Sequence, residues 1–137
     1  MVGISAAHSF GIDIEYMDPR RDTAVWIARF LAPAERDYFA GLAPSARAAG
    51  FWRFWTLKEA YYKATQCAGD IGLSHIEVAH DQSDRYTVGV RGHTMETPAC
   101  LAGVSLKPAR DCVAAVVGSS SGLTVRYFRW DNWNVYR

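Results

Sequence analysis

The stretch "GIDIE", residues 11–15, carries Asp13 and Glu15 with one residue between them. On an extended strand, side chains two apart share a face, so both carboxylates stand on the same side. Two anions so placed repel each other unless a metal ion or a basic group lies between them. Further on, "FWRFWTLKEAYYKAT", residues 51–65, spaces Trp55, Glu59 and Lys63 at i, i+4 and i+8, which makes one stripe along a helix. Carboxylate oxygens are the hard ligands Mg²⁺ selects, and that ion commonly takes few protein ligands together with substrate phosphates. If the stripe packs beside the strand, Glu59 becomes a third carboxylate, with Lys63 one turn away. Such a group can grip a pyrophosphate through the metal and offset charge as a phosphoryl bond breaks. Two plainer readings stand beside this one. The D-x-E can lie on a solvent-facing strand, and Glu59–Lys63 can be an exposed i, i+4 pair worth a few tenths of a kcal/mol.

The elements that would hold these residues follow from hydrophobic rhythm. "SFGIDIEY" alternates with the period of a strand, Phe10, Ile12 and Ile14 on one face, Asp13 and Glu15 on the other. Asp22 is placed to cap a helix over "TAVWIARFL", and "APAERDYFAGL" restarts one, with Pro33 in its first turn and Gly41 near its end. Ser45 is expected to cap the long helix of about 46–66. In that helix Phe51, Trp52, Phe54, Leu57, Tyr61 and Tyr62 surround most of the circumference, which predicts burial. A charge in such a helix is costly without a partner. Beyond Gly69 and Gly72 the sequence turns strand-like. "HIEVAH" and "RYTVGVR" form a hairpin across "DQSD", and "CLAGVSLK", "CVAAVVG" and "LTVRYFRW" follow. The fold class predicted is α+β: a mostly antiparallel sheet with a long helix and shorter helices on one face, in a single domain over 1–137.

Composition excludes several classes. Half the 137 residues are hydrophobic and 21% are charged, a globular balance. A net charge of +1 gives no global field toward nucleic acid or anionic lipid, and the scattered arginines are read as solvated helix faces. No apolar run approaches the ~18 residues of a membrane span, so neither nucleic acid nor membrane is an expected partner. Cys67, Cys100 and Cys112 are odd in number and widely spaced, which fits neither a disulfide framework nor a zinc site and points to the cytoplasm. His75 and His80 would face opposite ways on one strand, while His8, His93 and Cys67 have no partner in sequence.

The combination is more specific than its parts. G-I-D-I-E followed by F-W-T-L-K-E-A-Y-Y-K-A resembles the 4′-phosphopantetheinyl transferases, and W-x-x-K-E-x-x-x-K looks like the larger Sfp-type branch. "FLAPAERDYF" is similar to that family's F-x-x-x-E segment, and the later strands match its second-half pattern, so the resemblance spans roughly residues 10 to 130.

That resemblance implies transfer of the phosphopantetheine arm of coenzyme A to a serine of a carrier protein, with release of adenosine 3′,5′-bisphosphate. It implies that Asp13, Glu15 and Glu59 hold Mg²⁺ against the pyrophosphate and that Glu59, directly or through a water, activates the carrier serine. Lys63 would stabilise or protonate the leaving phosphate, with Lys58 near the phosphates; Glu35 matches more loosely a position near the metal. Positioning, charge neutralisation and a base in reach are what phosphoryl transfer requires. Sfp-type enzymes have two similar halves with the site between them, and this chain resembles the second. Either a homo-oligomer or a missing N-terminal half would complete the cleft. The family's K-x-x-G-x-G-L run is replaced after Lys63 by "ATQCAGDIGL". The alternative reading is a non-catalytic module that keeps coenzyme A or metal binding, or serves in assembly. A phosphohydrolase using the same carboxylates is a third.

Overall fold

A computed structural model of the chain describes residues 3, 9–66, 71–80, 84–92, 100–119 and 123–126. In order these form β1 (Phe10–Tyr16), α1 (Thr23–Phe30), α2 (Pro33–Ala40), α3 (Pro44–Thr65), a 3₁₀ turn (Leu73–His75), β2 (Ile76–His80), β3 (Arg85–Val90), β4 (Leu101–Ala109) and β5 (Cys112–Gly118). The Asp22 carboxylate accepts from the Ala24 N–H at 2.9 Å and caps α1 as expected. Pro33 opens α2 and Gly41 closes it. The long helix begins earlier than predicted. Pro44 is its first residue and Ala43 its cap, so Ser45 lies inside the first turn. A proline there has no N–H to leave unsatisfied, and its fixed φ suits the first turn.

The sheet has the order β1-β5-β4-β3-β2, and every pairing is antiparallel. The register of β4 on β5 shifts between Leu106 and Ala109, around Pro108, which has no N–H to give the ladder. The predicted strand "LTVRYFRW" does not form over 123–126, and its remainder lies outside the described residues. One sheet face carries the helices. Phe39, Phe51, Leu57, Tyr61, Ile76, Val88 and Val117 are buried there and build the core.

The strand β1 inverts the usual pattern. Gly11, Asp13 and Glu15 turn toward α3, and the apolar set points away. Gly3 packs on Phe10 and Ile12, while Ile14 and Tyr16 are 42% and 59% exposed. Gly11 explains how acids come to face a helix so closely. A Cβ at this position would lie 1.9 Å from the Ala60 carbonyl oxygen and 2.6 Å from the Ala64 nitrogen. Strand and helix therefore meet backbone to backbone, with small residues on both sides.

The rotation of α3 about its axis is set from its opposite side. The Lys58 ammonium is 1% exposed and donates to Glu35 Oε2 at 2.5 Å, to the Leu73 carbonyl at 3.1 Å and to the Phe30 carbonyl at 3.3 Å. Glu35 in turn accepts from the Ala32 N–H at 2.7 Å and the Val78 N–H at 2.8 Å. Burial pulls the lysine below its usual range and the adjacent carboxylate opposes that. One ion pair thus ties α1, α2, α3, the 3₁₀ turn and β2 together with its hydrogen-bonding capacity largely used.

Two stability measurements follow. Gly11→Ala should cost about 3 kcal/mol by urea unfolding, because only backbone can move to admit the methyl group. Glu35→Ala and Lys58→Met should each cost about 3–5 kcal/mol, since each leaves a buried charge without its partner. The double variant should fall short of their sum by about 1–3 kcal/mol. Additive losses would mean that the pair does not act as a unit.

Candidate active site

The stripe Trp55–Glu59–Lys63 faces the acidic side of β1. Lys63 Nζ donates to Asp13 Oδ1 at 2.7 Å, closing a contact between residues 50 apart. The Trp55 indole N–H donates to Glu15 Oε1 at 3.0 Å. Asp13 is 8% exposed, whereas the Lys63 side chain is 52% exposed, so the acid is fixed and the ammonium reaches in from solvent. Glu59 lies half-buried between these groups. Its carboxyl is held above the ordinary glutamate range, first by burial and next by the charge of Asp13. Lys63 offsets part of this, and Glu15 adds to it. The structure therefore brings Asp13, Glu15, Glu59 and Lys63 to one place.

Lys58, which the resemblance put near the phosphates, lies apart from that group. Successive residues of an α-helix are turned by about 100°, so the side chain next to Glu59 projects into the core. There its ammonium is taken by Glu35 and two carbonyls. Glu35 lies with it: both its oxygens are engaged in the interior, by Lys58 and the Ala32 and Val78 N–H groups. His75 sits in the 3₁₀ turn rather than on a strand, and the His80 ring packs on Tyr86 at 5.0 Å. His8, His93 and Cys67 lie outside the described residues; Cys100 and Cys112 are free thiols. Gly11 was not singled out from the sequence, although it shares the acidic face of β1 at the same two-residue step. Trp55 was placed on the stripe with Glu59 and Lys63, but its hydrogen bond to Glu15 was not foreseen.

Mg²⁺ can be tested against these atoms. Asp13 Oδ2 is buried and meets no donor, an orphaned anionic oxygen of the kind a cation satisfies. The donors are all hard carboxylate oxygens, which suits this ion in kind. Among the described residues, no three His, Cys, Asp or Glu side chains are close enough together to hold one ion as they stand. The chemistry of the donors fits, and sharing one ion requires side-chain rotation to draw the three carboxylates together.

The raised Glu59 predicts a pH signature. A carboxyl whose folded pKa lies above its unfolded value favours the fold at low pH, and that contribution is lost as pH rises through the folded pKa. Glu59→Gln removes the cost of ionisation. Its melting temperature should exceed that of the unmodified chain by about 3 °C at pH 7. The gain should vanish below about pH 4, where both states hold the proton. Thermal melts across that range check the sign.

With this geometry in place, comparison with known proteins is informative. The family described as "ACPS: 4'-phosphopantetheinyl transferase superfamily" matches residues 9–117. The 4'-phosphopantetheinyl transferase HetI of Nostoc sp. is 28% identical over 130 residues, 95% of this chain and 52% of that protein. The chain thus spans about half the length of this relative. Among solved structures, the holo-[acyl-carrier-protein] synthase of Thermotoga maritima aligns with a TM-score of 0.62 at 16% identity, covering 80% of this chain and 61% of that one. The ACPS–CoA complex of Chronobacterium ammoniagenes aligns with a TM-score of 0.62 at 20% identity, covering 90% and 100%. These likenesses bear out the predicted α+β fold. The chain belongs to the 4′-phosphopantetheinyl transferase superfamily.

Proposed function

We propose that this chain transfers 4′-phosphopantetheine from coenzyme A to a serine of a carrier protein, with Mg²⁺, as one half of an Sfp-type site. The observation that carries the reading is the contact of Lys63 with Asp13. It joins the two family motifs in space and gathers Glu15 and Glu59 around them. Asp13, Glu15 and Glu59 would hold the ion, which when bound supplies charge neutralisation at the pyrophosphate. Glu59, partly desolvated and less acidic than an ordinary glutamate, is suited to take the serine proton. The serine oxygen bonds to the β-phosphorus as the bond to the bridging oxygen breaks. Adenosine 3′,5′-bisphosphate leaves, and Lys63 offsets the charge that develops on it. Lys58 has no part in this step.

The site needs a second unit, either further copies of this chain or a missing N-terminal half. Two facts support this: the chain matches about half of the HetI protein, and β1 leaves Ile14 and Tyr16 exposed. Among the described residues no helix is long and apolar enough to cross a membrane. We place the reaction in the cytoplasm.

Mass spectrometry of an apo carrier protein incubated with the chain, coenzyme A and Mg²⁺ tests the reaction. The expected product is heavier by one phosphopantetheine, is lost on chelation of the metal, and forms at least 100-fold more slowly with Glu59→Gln. Unchanged turnover in that variant would remove Glu59 from the role of base. No product, together with a melting temperature raised by coenzyme A and Mg²⁺, would establish the non-catalytic binding module instead.

A further inference from the structure

The tryptophan that opens the W-x-x-K-E pattern has no part in the chemistry above, yet it touches one of the acids. We propose that Trp55 is a positioning residue for Glu15, holding one carboxylate oxygen so that only the other is presented to a cation. This rests on the reading that the acids hold Mg²⁺.

Three observations carry it. First, the contact is a directed hydrogen bond of 3.0 Å from Nε1 to Oε1, made across 40 residues of sequence. An indole nitrogen only donates, so the oxygen it meets is kept as an acceptor. Second, the indole is not free to turn. Its ring packs on Trp26 at 5.0 Å, on Phe30 at 5.1 Å and on Phe51 at 5.9 Å. Trp26 is itself covered by the Arg21 guanidinium at 4.7 Å. Rotating Trp55 would disturb this cluster, so the direction of its N–H is inherited from the packing of α1 on α3. Third, Trp55 lies on the same helical stripe as Glu59 and Lys63. Lys63 engages the neighbouring acid, Asp13, whose second oxygen is buried and orphaned. Each acid of β1 thus has one oxygen engaged from α3. A glutamate on a strand edge samples many rotamers when unheld; here one is selected before any ion arrives. The consequence is single-oxygen ligation by Glu15, with the indole as the outer partner that aims it.

The ¹⁵N-labelled full chain allows a test in two parts. In metal-free protein, Glu15→Gln should move the Trp55 indole N–H resonance, identified by its loss in Trp55→Phe, and leave the Trp26 indole in place. With MgCl₂ as the titrant, the amide resonances of Asp13 and Glu15 should shift and saturate. Trp55→Phe should demand at least tenfold more Mg²⁺ for the same response while keeping a dispersed, folded spectrum. An indole resonance unmoved by Glu15→Gln overturns the contact, and this part stands even if Trp55→Phe fails to fold, since through-bond assignment in the ¹³C,¹⁵N-labelled unmodified chain identifies the same resonance. Equal Mg²⁺ demand in the two proteins overturns the positioning role. Amides that ignore Mg²⁺ in the unmodified chain would instead sink the metal reading, a separate failure.

Discussion

At Gly11 the first strand and the long helix meet with no side chain between them. The room a methyl group would need is already filled by the Ala60 carbonyl and the Ala64 amide. That closeness is the constraint on which the site depends. It sets β1 at a depth where residues two and four further along, Asp13 and Glu15, reach the helix with their own short side chains. Acids facing inward are unfavourable in themselves, and the fold meets this with one donor for each: the Lys63 ammonium for Asp13 and the Trp55 indole for Glu15.

The second constraint lies on the far side of the same helix. A helix lying on a strand can still roll, and rolling by one residue would swing Glu59 out of the site. The Lys58–Glu35 pair resists this, because Lys58 is held by acceptors on three separate segments. Adjacent residues of one helix therefore do different work. Lys58 fixes the orientation from within the core, and Glu59 occupies the place that orientation provides. A buried ion pair is weak evidence for added stability, but its directional bonds select one rotation among several that apolar packing would tolerate.

Much of this was legible in the sequence because it follows from period. The two-residue step placed Asp13 with Glu15, and the four-residue step placed Glu59 with Lys63. Asp22, Pro33 and Gly41 marked helix boundaries through chemistry that acts within a few residues. What escaped depends on three-dimensional context. Lys58 and Lys63 are both cations in one helix, and only the choice of face separates a core ligand from a site residue. That choice is made by Glu35, 23 residues earlier. The stripe placed Trp55 with Glu59 and Lys63, but its bond to Glu15 stayed hidden because period gives no sign of which acceptor an indole meets 40 residues away. The early start of α3 at Pro44 shows the reverse case, in which a serine that suits a cap lies inside the first turn because the proline before it is preorganised for the first helical position.

Among the described residues, the sheet order places β1 at one edge, hydrogen-bonded to β5 alone, although these are the first and last strands described. Neither α3 nor the β2–β3 hairpin can give that edge its backbone partners. A chain emerging from the ribosome therefore carries both β1 acids long before their strand has a ladder to join. Its full set of supports exists only once the segment up to Gly118 is available. The strand that carries the acids is in this sense tied to the longest loop closure that the topology demands.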